Sequence, residues 1–133
     1  MDILVIEDDP TVQSIISKAL ERGGYMVKCV SNGLQALAEI EETPFRAIVS
    51  DVGLPFLEGK SLYDHIKEGY PEMAERVVFV TGMANDPETK KFLDATGRPV
   101  VAKPFELRDL VKVVRGVVER GGQPAKPSKK PKK

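Results

Sequence analysis

The chain alternates short apolar runs with longer stretches whose apolar positions recur at helical spacing. Ile3-Leu4-Val5-Ile6 is an unbroken β-branched and leucine run, the pattern of a strand buried on both faces. Asp9-Pro10 then opens a helix, with Asp9 as its cap and Pro10 in the first turn. Val12, Ile15, Ile16, Ala19 and Leu20 supply its apolar stripe, and Gly23-Gly24 ends it. A second strand is predicted over 25–30, a turn at Ser31-Asn32-Gly33, and a second helix over 34–42 with Leu37 and Ile40 facing inward. Residues 45–50 read as a third strand that stops at Asp51, and 53–59 as a loop. Residues 61–68 read as a third helix with Leu62, Tyr63 and Ile66 inward, closing near Gly69 and Pro71. A fourth strand covers 76–80 and stops at Thr81, followed by the loop Gly82-Met83-Ala84-Asn85. Asp86-Pro87 starts a short fourth helix carrying Phe92 and Leu93, and 99–102 form a fifth strand. After Phe105-Glu106 comes a fifth helix with Leu107, Leu110, Val111, Val114 and Val118, stopped by Gly121-Gly122.

Five strands alternating with five helices require crossover connections. The expected fold is therefore α/β: a doubly wound five-stranded parallel sheet with helices on both faces. The 133 residues suit one core of ordinary size. No apolar stretch approaches the roughly 20 residues of a membrane span, and the N-terminus lacks the basic start and small-residue cleavage site of a signal peptide. Cys29, the single cysteine, has no internal partner, so a reducing cytoplasm is the expected setting.

Charge divides the chain further. Residues 1–119 hold 14 Lys+Arg against 20 Asp+Glu, a net of −6, whereas 120–133 hold 6 basic residues and no acid. The expected division is a folded unit over 1–119 and a disordered basic tail over 120–133, since the tail has almost nothing apolar to bury. The tail reads first as a solvated extension. No direct DNA binding is expected of the folded unit, because Tyr25, Tyr63 and Tyr70 are scattered and form no stacking platform.

Open α/β sheets bind ligands beyond the carboxyl ends of their strands. There the chain places Glu7, Asp8 and Asp9 after the first strand, Asp51 after the third, Thr81 after the fourth and Lys103 after the fifth. A lone acid in such a place most often caps the next helix, as Asp9 is expected to do. The conjunction of acids, hydroxyl and lysine at one edge is harder to explain that way. Crowded carboxylates need a compensating charge, and oxygen donors without Cys or His suit Mg²⁺ or Mn²⁺. A carboxylate beside a metal ion and a lysine is also able to attack phosphorus, giving an aspartyl phosphate. His65, on the third helix away from this edge, reads as a solvated or partly packed side chain, and Cys29 as a small packed residue.

Over about residues 2–119 the chain resembles bacterial response-regulator receiver domains, which have the flavodoxin-like form of this fold. The matching stretches are Ile3-Leu4-Val5-Ile6-Glu7-Asp8-Asp9-Pro10, Asp51-Val52-Gly53-Leu54-Pro55 with Leu57-Glu58-Gly59, Val80-Thr81-Gly82 and Lys103-Pro104-Phe105. The resemblance implies roles by position. Asp51 is the phosphoacceptor. Asp8 is a direct metal ligand, Glu7 acts partly through water, and the Gly53 carbonyl is a further ligand. Thr81 bonds a phosphoryl oxygen, Lys103 pairs with the phosphoryl group, and the Lys103–Pro104 bond is cis. The donor is a phosphohistidine on a histidine kinase or phosphotransfer protein, and the receiver catalyses both its own phosphorylation and its own dephosphorylation. The expected output surface is the fourth helix, fifth strand and fifth helix. No covalent output domain is expected after the fifth helix, so output would run through protein contacts or relay to a histidine.

Two positions depart from the pattern. Val100 stands three residues before the lysine, where these domains often carry Tyr or Phe, so the aromatic swing that accompanies phosphorylation is in question. The stretch Thr96-Gly97-Arg98-Pro99-Val100 is closer to receivers of hybrid histidine kinases. Gly53, two residues after the acceptor, lacks a shielding side chain, which implies a short-lived phosphorylated form. It also lacks the second acid of aspartyl-phosphate phosphatases, so turnover of external substrates is not expected. The competing reading is a phosphorylation-independent interaction scaffold on the same fold.

Overall fold

The computed structural model describes residues 1–51, 62–82, 86–103 and 105–121. The strands are β1 (Ile3–Ile6), β2 (Val27–Val30), β3 (Ala47–Asp51), β4 (Val77–Thr81) and β5 (Val100–Ala102). The helices among the described residues are α1 (Pro10–Arg22), α2 (Gly33–Glu42), α3 (Leu62–Gly69), α4 (Pro71–Ala74), α5 (Pro87–Thr96) and α6 (Leu107–Gly121). The strands form one parallel sheet in the order β2-β1-β3-β4-β5. This is the doubly wound sheet the sequence pattern predicts.

Successive strand residues point to opposite faces, and the core divides accordingly. Leu4, Ile6, Ile48, Val77 and Phe79 belong to one apolar cluster with Ile40 of α2, Ile66 of α3 and Leu93 of α5. Ile3, Val5, Ala47, Val49, Val78 and Val80 belong to the other, with Ile16 and Leu20 of α1 and Leu110, Val114 and Val118 of α6. Burial on both faces explains why β1, β3 and β4 are continuous apolar runs in the sequence. The first face is tied by an aromatic trio, in which Phe79 lies 5.6 Å from Tyr63 and 5.8 Å from Phe92, ring centre to ring centre.

Helix starts follow local chemistry. The Asp9 carboxylate accepts from the Thr11 and Val12 amides, Asn32 from Gln35 and Asp86 from Thr89. α5 ends at Gly97, whose φ of +67° is a left-handed conformation that glycine adopts without a Cβ penalty.

The differences from the pattern are few. α4 was unexpected: Pro71 does end the preceding segment, but it also occupies the first turn of a short helix that buries Met73 and Ala74. Among the described residues there are thus six helices rather than five. Ser31-Asn32-Gly33 is a helix start as much as a turn, since α2 begins at Gly33. β2 is shorter than predicted, leaving Tyr25 and Met26 outside it. Ile15 faces solvent despite its helical spacing. No helix of the described residues is long and apolar enough to cross a membrane. Gly53, the 54–59 loop, Pro104 with its expected cis bond, and the tail from 122 onward lie outside the described residues.

Candidate functional site

Strand register builds the site. Ile6 pairs with Ser50, so the next residues, Glu7 and Asp51, leave the sheet side by side. Asp51 is level with Val80, and Thr81 with Ala102, which brings Thr81 and Lys103 to the same edge. The Lys103 amide donates to the Thr81 carbonyl at 2.7 Å, carrying the β4–β5 pairing one residue past the strand. The stem of Lys103 then passes Gly82, where an added Cβ would lie 3.9 Å from the lysine Cβ.

Lys103 Nζ lies 3.6 Å from Glu7 Oε1 and 3.7 Å from Asp51 Oδ2. One ammonium group therefore faces two carboxylates. Glu7, Asp8 and Asp51 each present a carboxylate oxygen within 4.8 Å of the others. Their settings differ: Glu7 is only 2% exposed, Asp51 is half-buried and Asp8 is exposed. Glu7 Oε2 accepts from the Asp9 amide at 3.2 Å, while its buried Oε1 has no hydrogen-bond partner. Burial pushes the Glu7 carboxyl above the ordinary carboxylate range. Repulsion from Asp51 and Asp8 acts the same way, while the Asp9 amide and Lys103 oppose it.

These residues fit a hard divalent cation. Three convergent carboxylates carry more negative charge than Lys103 neutralises, all donors are oxygen, and one buried oxygen lacks a donor. Among the residues expected at this edge, Asp9 turns away to cap α1. Thr81 is buried at the end of β4. Val100, in β5, is partly exposed.

One positioning residue was not foreseen. Gln13 Nε2 donates to both the Glu7 and Val30 carbonyls at 3.0 Å, fastening the ends of β1 and β2 beneath the acidic pair. In the sequence Gln13 is simply a polar residue of an amphipathic helix, and nothing marks it.

The response regulator receiver domain family matches residues 3–115. The chain belongs to this family. It is 36% identical over 112 residues to the response regulator receiver protein CpdR of Brucella abortus, covering 82% of this chain and 89% of that protein. It is 28% identical to the sensor kinase CckA of the same organism, covering 89% of this chain but 12% of the kinase. Among solved structures it resembles the receiver domain of the sensor histidine kinase PA1611 of Pseudomonas aeruginosa, which has a magnesium ion coordinated in its active site cleft. That match has a TM-score of 0.76 at 29% identity and covers 89% of this chain and 97% of that one. The chain spans about half the length of the transcriptional regulators it also matches. It is thus a receiver domain of two-component signalling.

Proposed function

We propose that this receiver takes a phosphoryl group from a phosphohistidine onto Asp51 in a Mg²⁺- or Mn²⁺-dependent reaction and signals through protein contacts. The observation that carries the reading is the placement of Lys103 Nζ between Glu7 and Asp51, beside the three-carboxylate cluster.

In this reading an Asp51 oxygen attacks phosphorus, the P–N bond to the donor imidazole breaks, and an acyl phosphate forms. Glu7, Asp8, Asp51 and the Gly53 carbonyl would hold the cation, with Glu7 acting partly through water. The ion supplies charge neutralisation at the phosphoryl oxygens. Lys103 would pair with the phosphoryl oxygens, and Thr81 would donate its hydroxyl to one of them. Because Lys103 is held by β5 and its link to Thr81, its charge needs little reorganisation during transfer. The receiver thereby catalyses its own phosphorylation and, with water as acceptor, its own dephosphorylation; Gly53 makes the phosphorylated form short-lived.

The partners are a histidine kinase or histidine phosphotransfer protein and a downstream protein, in the cytoplasm. The receiver unit comprises residues 1–119 and is followed by the basic tail 120–133, of which Arg120 and Gly121 still belong to α6. Val100 favours a second reading, a scaffold that works without phosphorylation. Beryllofluoride, a phosphoryl mimic, separates the two. With Mg²⁺ it should shift the Thr81 and Lys103 amide resonances in a saturable way; Mg²⁺ binding without any beryllofluoride response would favour the scaffold.

A further inference from the structure

The edge of the sheet opposite Asp51 holds a second concentration of charge. A cleft of about 400 Å³ is lined there by Arg76, Arg98, Arg120, Gly121, Glu72 and Glu75, among others. Four segments build it: Glu72 lies in α4 and Glu75 caps its end, Arg76 immediately precedes β4, Arg98 lies two residues before β5, and Arg120 and Gly121 end α6.

The arginines are fixed by backbone contacts. Arg76 Nη2 donates to the Gly121 carbonyl at 3.2 Å. Its guanidinium packs so closely over Gly121 that an added Cβ would come within 3.0 Å of the Arg76 Cζ. Arg98 Nε donates to the Val77 carbonyl at 3.0 Å. Its Nη2 is buried without a hydrogen-bond partner, the kind of orphan that folded proteins rarely leave. Burial opposes the Arg98 cation most, Tyr63 offsets part of this, Arg120 adds to the opposition and Glu75 again offsets it. Among the described residues, no ion pair within 4.0 Å joins Arg98 or Arg120 to Glu72 or Glu75.

We propose that this cleft binds a small phosphate-bearing molecule, held chiefly by Arg98 and Arg120 with Arg76 alongside. A phosphate offers several oxygens to several guanidinium forks at once, which a single carboxylate does not. It would also relieve the repulsion between Arg98 and Arg120. The volume exceeds that of a bare phosphate and suits a phosphorylated metabolite. Glu72 and Glu75 are exposed and disfavour a broad acidic protein surface while leaving room for a compact anion.

The test uses the full chain and pyrophosphate, titrated in Mg²⁺-free buffer at low ionic strength and followed by backbone amide resonances. The expected result is saturable shifts at Arg76, Arg98 and Gly121, with inorganic phosphate binding the same residues more weakly. Arg120→Gln removes an exposed charge without disturbing the core and should weaken pyrophosphate about tenfold. A second variant, with Lys126, Lys129, Lys130, Lys132 and Lys133 changed to Gln, should bind within about twofold of wild type. The proposal is overturned if no saturable shift occurs, or if the shifts fall at Asp51 and Lys103. It is equally overturned if the tail variant loses binding while Arg120→Gln keeps it.

Discussion

Both edges of the sheet gather charged side chains where strands begin or end, and they treat them in opposite ways. At the amino edge, Arg76 and Arg98 donate to the Gly121 and Val77 carbonyls, and Arg46 pairs with Asp2 at 3.8 Å. The first two close the fold by capping backbone acceptors. At the carboxyl edge, Glu7, Asp8 and Asp51 crowd within 4.8 Å of one another, with Lys103 as the cation between Glu7 and Asp51. Like charges held together cost stability that a rearranged core would recover. Three carboxylates converging on one point set the acidic edge apart from the arginine edge, where Arg76 and Arg98 each also serve a backbone carbonyl.

Several changes should break or sharpen this contrast. The largest effect is expected at Lys103. Lys103→Ala should slow phosphoryl transfer to Asp51 by roughly 10²–10³-fold, as loss of a preorganised charge does elsewhere. It should also tighten Mg²⁺ binding by removing a competing cation, and both effects are measurable by single-turnover transfer and calorimetric titration. Next comes the core that both edges share. Phe79→Ala removes the centre of the aromatic trio and should cost about 3–5 kcal/mol in urea unfolding.

The sharpest comparison of the edges is smaller. In Mg²⁺-free buffer Asp51→Asn should stabilise the fold by about 1 kcal/mol, the scale of one like-charge contact near 4 Å in water. Saturating Mg²⁺ should abolish or reverse that gain. Arg98→Gln at the amino edge should instead destabilise with or without Mg²⁺. An equal loss in both variants would erase the distinction between the edges.

Asn32→Ala, which removes the α2 cap two strands away from Asp51, should cost about 1 kcal/mol and leave transfer to Asp51 unchanged. The smallest effect concerns pH. Burial raises the Tyr63 phenol above the ordinary tyrosine range, while Arg98 pulls it back. Since the folded state holds this proton more tightly than the unfolded chain, its contribution is present below about pH 10 and lost as pH rises beyond it. Tyr63→Phe should therefore flatten the alkaline decline in stability, read from unfolding midpoints between neutral and alkaline pH.

Much of this was legible from residue order alone, for a physical reason. Strands buried on both faces are nearly continuous apolar runs, and the charged residues that follow such a run sit at the sheet edge. Glu7, Asp51 and Lys103 stand out on that account. The unforeseen parts obey no period. α4 is a single turn, too short for a stripe to declare itself, and Pro71 looks like punctuation. Ile15 fits the helical spacing, but the strip of α1 that meets the sheet is narrower than its apolar face. Gln13 and Arg98 act on backbone carbonyls brought near by tertiary packing, and the sequence places no mark on a carbonyl.

The most direct test is the intact mass of the protein after incubation with Mg²⁺ and a small phosphodonor, with Asp51→Ala run alongside. The account predicts one added phosphoryl group on the wild type, none on the variant, and none on either without a divalent cation. Equal modification of both proteins, or a wild type that gains no mass and ignores beryllofluoride while binding Mg²⁺, would contradict it.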